Sequence, residues 1–173
     1  MRTSVVLECR DLRPGVLEAL FVRWAIAVVP IAAGDGIPGS YWGEPEAGIV
    51  GHRLYVRPDT PVHSALHEGC HLICMGAERR AGVVRDALGD ELEESAVCCL
   101  QVLLAERLEG VGAARLFEDM DAWGYSFRAG STREWFEQDA EDAREWLETR
   151  GILAALRSAA AEPTKMLSPC ASS

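Results

Sequence analysis

A single α+β domain is the expectation from the sequence, and three features carry it. Residues 53–57 (RLYVR) alternate apolar with polar, the pattern of a short strand with one buried face. Residues 90–108 (DELEESAVCCLQVLLAERL) repeat apolar side chains at helical spacing. The chain has 173 residues, 49% of them apolar, which suits one core.

In chain order, a first helix is expected over 14–24, with Leu17, Leu20 and Phe21 on one face. Residues 25–33 form the most apolar run and read as a buried strand. The run is too short to span a bilayer and follows Arg23, so no membrane partner is expected. GDGIPG at 34–39 is a loop. Two strands are expected over 40–50 and 51–59. In the second, Leu54 and Val56 face one way and Arg53, Tyr55 and Arg57 the other, and Pro58 ends it. Thr60 or Pro61 opens a helix that runs to about Gly76, and polar residues fill 77–89. The helix over 90–108 turns Leu92, Ala96, Leu100, Leu103 and Leu104 inward. Helical segments follow over 113–122 and 132–160. The second is rich in Glu, Asp and Arg, as a solvated face would be. Residues 162–173 read as a loose tail, so one domain spans 1–173.

The formal charge of −10 repels phosphate backbones, so no nucleic-acid partner is expected. The first residues carry Glu8 and Asp11 and no long apolar stretch, so no secretory signal is read there. The six cysteines form no CxxC pair. They are expected to be reduced thiols of a cytoplasmic protein, most of them packed in the core.

The stretch that bears on chemistry is HSALHEGCHLICMG, residues 63–76. Within it His67, Glu68, Gly69, Cys70 and His71 spell HExxH. On a helix, residues four apart share a face, so His67 and His71 can reach one ion. Zinc accepts neutral imidazole nitrogens, and a catalytic site takes three protein ligands with one position left open. Glu68, beside the first histidine, stands where a general base could take a proton from metal-bound water. The flanking Ala65, Leu66, Gly69, Cys70, Leu72 and Ile73 are uncharged, as a buried active-site helix requires. A third ligand could be His52, on the strand before the helix, or one of Glu91, Glu93 and Glu94 at the start of the next helix. Acids there are also favoured by the helix dipole alone. His63 lies a full turn too early to share the ion and reads as a polar lining or a core histidine. Cys70 and Cys74 read as core packing.

This pattern resembles the gluzincins, metallopeptidases with HExxH and a later glutamate on a second helix. It most resembles small bacterial zincins of the ImmA/IrrE type, over about residues 40–105. The resemblance implies a minimal zincin fold: a small mixed or antiparallel sheet packed on an active-site helix, with additional C-terminal helices. It implies a zinc-dependent metallopeptidase with one Zn2+ per chain, acting on a peptide or protein substrate. Glu68 would be the catalytic base. The Glu-x-x-Ala pattern selects Glu93, with Ala96, as the ligand joining His67 and His71; Glu94 is the runner-up. Val97 stands where many such families carry an Asp or Asn that would orient a ligand histidine. The family also implies that the strand over 51–59 is an edge strand lining the cleft and binding substrate by strand addition. For the developing oxyanion, Tyr125, His63 and Tyr55 are candidates. Residues 122–136 (AWGYSFRAGSTREWF) read as a Gly-punctuated loop able to cover the cleft.

Two other readings compete. One is a non-catalytic zincin-fold module that binds metal and a protein partner, with a fourth ligand such as Cys74 or His63 closing the site. The other is a thiol enzyme using Cys70 with His67 or His71, for which the apolar neighbours give little to lower a thiol pKa.

Overall fold

A computed structural model describes residues 6–85 and 89–160, with side chains as far as Ser158; the expected tail, 162–173, lies outside the described residues. The architecture is α+β. Helix α1 (Val16–Phe21) leads through a 3-10 turn to strand β1 (Ala27–Pro30). Strands β2 (Gly48–Val50) and β3 (Arg53–Val56) follow, then helices α2 (Val62–Cys74), α3 (Ala77–Gly82), α4 (Glu91–Ala105), α5 (Gly112–Trp123), α6 (Thr132–Gln138), α7 (Glu141–Thr149) and α8 (Ile152–Ala160).

The sheet is mixed, in the order β1-β3-β2, with β1 parallel and β2 antiparallel to β3. Two expectations are corrected by this order. The strand before the active helix, β3, is the central strand and not an edge: both of its sides are already paired, so it has no free ladder for an added peptide. The apolar run 25–33 yields a four-residue edge strand, not a buried one, with Ala27 and Pro30 exposed and Val28 and Val29 half-buried. Pro30 has no N–H to give, which an edge strand tolerates. The first expected hairpin strand shortens to Gly48–Val50.

The segment ahead of β2 is tied to the sheet rather than free. Arg57 donates to both oxygens of Asp59 at 2.6 and 2.9 Å, to the Asp35 carbonyl at 2.8 Å and to Glu44 at 2.5 Å. These bonds hold the carboxyls of Glu44 and Asp59 below their ordinary pKa values. Gly39 and Gly48 allow the loop to close on β2: a Cβ at Gly39 would lie 2.2 Å from the Ile49 carbonyl oxygen, and one at Gly48 would lie 2.0 Å from that of Pro38.

Helix α2 packs against β2 and β3 and against α4, and α7 covers α4 from beyond. That layering explains why twelve of the thirteen α2 residues are buried. Gly69 sits where the Phe21 ring presses on the helix; a Cβ there would lie 2.2 Å from the ring. On α4, Asp90 caps the helix by accepting from the Glu93 N–H at 2.8 Å. Ala96, Leu100 and Leu104 are buried as expected and Leu103 is half-buried. Leu92 is 42% exposed while Glu93 beside it is buried: in the first turn of α4 the inward face carries Glu93, and Leu92 points about 100° away from it. The charged stretch 132–160 is three helices and not one, broken near Asp139 and at Gly151. It buries Trp135, Trp146, Leu147, Ile152 and Leu156 beneath its charged face. Among the described residues the cysteines are free thiols, and no helix is long and apolar enough to cross a membrane.

Candidate metal centre

Three side chains converge where α2 meets the start of α4. The Nε2 atoms of His67 and His71 lie 3.1 Å apart. The Glu94 carboxylate reaches both, Oε1 at 3.0 Å from His67 Nε2 and Oε2 at 3.2 Å from His71 Nε2. Ligands 2.0–2.1 Å from a tetrahedral zinc stand about 3.3 Å from one another, so these separations match the edges of one coordination polyhedron. A second triad shares His67 and Glu94: with the Cys98 thiol, its ligand atoms lie within 4.8 Å of one another. The His71 triad is the tighter. His67, Glu94 and Cys98 form a group able to hold a metal ion.

Glu94, not Glu93, faces the histidines. The carboxylate of Glu93 is turned away into a two-pronged pair with Arg79, at 2.6 and 2.9 Å. Successive residues of a helix point about 100° apart, so only one of the two acids can face α2. The Glu-x-x-Ala pattern selected Glu93, whereas the acid that faces the histidines is the runner-up, Glu94. Desolvation opposes charge on Glu94, but hydrogen bonds with His67 and His71 outweigh it and lower its pKa. Burial likewise opposes charge on His67, and Tyr125, Cys98 and Glu94 reverse the balance and raise its pKa. The point between these groups favours positive charge, which a cation supplies as well as a proton.

Gln101 is a residue of the candidate site that the sequence reading did not single out. It is fully buried on α4. Its side-chain N–H donates to the His63 carbonyl at 2.8 Å, which leaves its oxygen to accept from His67 Nδ1 at 3.2 Å. A proton held at Nδ1 leaves Nε2 with a free lone pair, the tautomer a metal requires. Gln101 therefore does for His67 what the acid absent at Val97 would have done. Glu94, Cys98 and Gln101 stand at i, i+4 and i+7, so one face of α4 meets the histidines. That spacing was the available signal. His71 Nδ1, by contrast, is buried without a hydrogen-bond partner among the described residues.

Glu68 is 8% exposed. Burial raises its pKa, against the opposing pull of His67 and His71 and with a smaller push from Glu94 and Glu46. A raised pKa makes it a stronger base.

Beside His67 opens a cleft of about 370 Å³, lined by Trp42, Glu46, Ser64, His67, Trp123, Gly124 and Tyr125. Burial pushes the Tyr125 hydroxyl up to about 12, so it stays protonated and can donate at neutral pH. Its oxygen is 3.4 Å from His63 Nδ1. His63 is itself buried, and burial drops its pKa to about 3, so it is neutral. Its ring packs on Trp123 and Tyr125, not on the metal cluster. Tyr55 is half-buried on the face of β3 opposite Leu54 and Val56 and is not among the cleft-lining residues. His52 is exposed in the turn between β2 and β3, and no ion pair or hydrogen bond joins it to the cluster among the described residues. Of the 122–136 segment, Trp123, Gly124 and Tyr125 border the cleft, while Thr132 onward belongs to α6. Cys70 and Cys74 are buried and their thiols are raised by desolvation, Cys74 to about 12, which removes the thiolate a thiol enzyme needs.

A comparison of the chain with family models, curated proteins and solved structures finds no match.

Proposed function

We propose that the protein is a zinc-dependent metallopeptidase of minimal zincin fold, cleaving a peptide or protein substrate in the cytoplasm. The observation that supports this best is the convergence of His67 Nε2, His71 Nε2 and the Glu94 carboxylate at 3.0–3.2 Å, with Gln101 holding the His67 tautomer. Two imidazole lone pairs and a carboxylate at these distances repel one another unless a positive charge lies between them. Their donor set, two nitrogens and one oxygen, is that of a catalytic zinc site. Zinc bound there would supply Lewis acidity, polarising a carbonyl and acidifying water. Glu68 takes the proton of the attacking water and passes it to the leaving amine nitrogen. The neutral Tyr125 hydroxyl, at the cleft wall, donates to the carbonyl oxygen as negative charge develops on it.

Elemental mass spectrometry of the purified protein tests the site: one zinc per chain is expected, absent from His67→Ala. Glu68→Gln should keep its zinc and lose at least about 100-fold in peptide hydrolysis. A Glu68→Gln protein that cuts at near-normal rate sinks the mechanism.

Cys98 supports a second reading. Its thiol belongs to the same group as His67 and Glu94, and as a fourth ligand it would close the site into a structural staple in a non-catalytic binding module. Cys98→Ser separates the two readings. Unchanged zinc affinity leaves the position open for catalysis; a loss of tenfold or more, about 1.4 kcal/mol, favours the staple.

A further inference from the structure

We propose that the cleft beside His67 selects a basic side chain, Lys or Arg, of the substrate, with Glu46 taking the cationic head and Trp42 and Trp123 the aliphatic stem. This rests on the peptidase reading for the meaning of the word substrate, though not for the binding itself.

Glu46 is held in the wall of the cleft. Its neighbour Ala47 donates its backbone N–H to the Ser64 hydroxyl at 3.0 Å, which fastens the segment to α2 three residues before His67. The Trp123 indole N–H donates to Glu46 Oε1 at 3.3 Å. Oε2 has no hydrogen bond among the described residues. A half-buried carboxylate with one oxygen free at a cavity can accept a charged N–H donor from a ligand. Glu46 is also the one acid among the lining residues, and no Lys or Arg stands among them.

The aromatic side chains beside it are unusually open. Trp42 is 74% exposed and Trp123 41% exposed, and both line the same cleft. Trp123 is braced by the His63 ring at 4.9 Å, and Trp42 by an edge contact with Tyr41 at 4.9 Å. Indole faces attract ammonium and guanidinium groups and pack against methylene stems. A carboxylate with two indoles therefore fits a Lys or Arg side chain better than an apolar one, which would leave Glu46 Oε2 without a donor, or an acidic one, which Glu46 repels. The chain's formal charge of −10 draws the same kind of ligand.

Calorimetric titration of the full chain with blocked alanine pentapeptides carrying a central Arg, Met or Glu tests the assignment. Both wild type and Glu68→Gln are titrated, so binding is read with and without turnover. The Arg peptide should bind about tenfold more tightly than the Met peptide, as expected for a charge-assisted, cation–π contact. The Glu peptide should bind least. Glu46→Gln should bring the Arg-to-Met ratio to within about twofold, and Trp42→Ala, at an exposed position, should lower Arg binding without unfolding the chain. A ratio near one in the wild type, or one that survives Glu46→Gln in a folded protein, overturns the proposal. Hydrolysis of the same peptides separates the two readings. Cleavage without the Arg preference removes the subsite and leaves the peptidase. The preference without cleavage leaves the subsite and removes the peptidase.

Discussion

The metal cluster and the cleft that opens beside it are built in opposite ways. At the cluster, the groups that face one another are tied together, although His71 Nδ1 has no partner among the described residues. Gln101 is bonded at both ends, Glu94 touches both histidines, and α2 is buried on nearly all sides. The cleft wall of Trp42, Glu46 and Trp123 is exposed or half-buried and keeps a free carboxylate oxygen. Chemistry needs groups held to a fraction of an ångström, and only a packed helix pair supplies that. Recognition needs surfaces that are open to a ligand before it arrives. The difference also sorts the expected consequences of mutation: cluster variants should act on metal and fold, whereas cleft variants should act on ligand choice.

The sharpest way to break that division is the pair Glu94→Gln and Glu93→Gln. If zinc sits as proposed, Glu94→Gln would remove its charged ligand and should weaken zinc by 100-fold or more, read by competition with a chelator. Glu93→Gln should leave zinc affinity within about twofold and cost on the order of 1 kcal/mol of stability, because it breaks only a partly exposed pair with Arg79. The reverse result would restore Glu93 as the ligand. Next in size, Gln101→Leu should lower zinc affinity by about 10–100-fold with the ligands intact. An unchanged affinity would mean that the His67 tautomer is set in some other way. Gly69→Ala should destabilise the fold by about 1–3 kcal/mol in urea titration, since the new methyl meets the Phe21 ring. A neutral or stabilising result would show that α1 can move away from α2 freely.

The smallest effect belongs to the segment ahead of the cleft. Arg57 lowers the folded-state pKa values of Glu44 and Asp59. Groups with depressed pKa bind fewer protons folded than unfolded, so their contribution is present above the ordinary carboxylate range. It is lost as pH falls through their lowered folded values. Arg57→Met should therefore flatten the acid limb of the stability curve, read by thermal unfolding at successive pH values, and leave neutral zinc content unchanged. A zinc loss at neutral pH would tie this segment to the metal cluster and blur the division drawn above.

Much of the cluster was legible in the linear sequence because helical periodicity is a local rule. His67 and His71 must share a face whatever packs around them, and Glu68 must flank it. The α+β class followed from equally local patterns, alternation at 53–57 and the apolar stripe of α4. Where expectation failed, the missing fact was long-range. The rotation of α4 against α2 turned Glu94 toward the histidines, at the surface end of the site, and the buried Glu93 toward Arg79. The pairing of β1 on the far side of β3 made a central strand of an expected edge. Neither follows from spacing, since a strand carries the same residues in either position and adjacent glutamates differ only by helix phase.

By itself, then, the sequence determined which residues could meet a metal: two histidines, a neighbouring base and a carboxylate from the following helix. Only the tertiary structure decided which carboxylate faces the histidines, that Gln101 bonds to His67, and that Glu46 shares a cleft with two indoles. Side chains separated by 34 residues, as His67 and Gln101 are, come together through packing, and the buried area that drives packing belongs to the whole core rather than to any one stretch of chain.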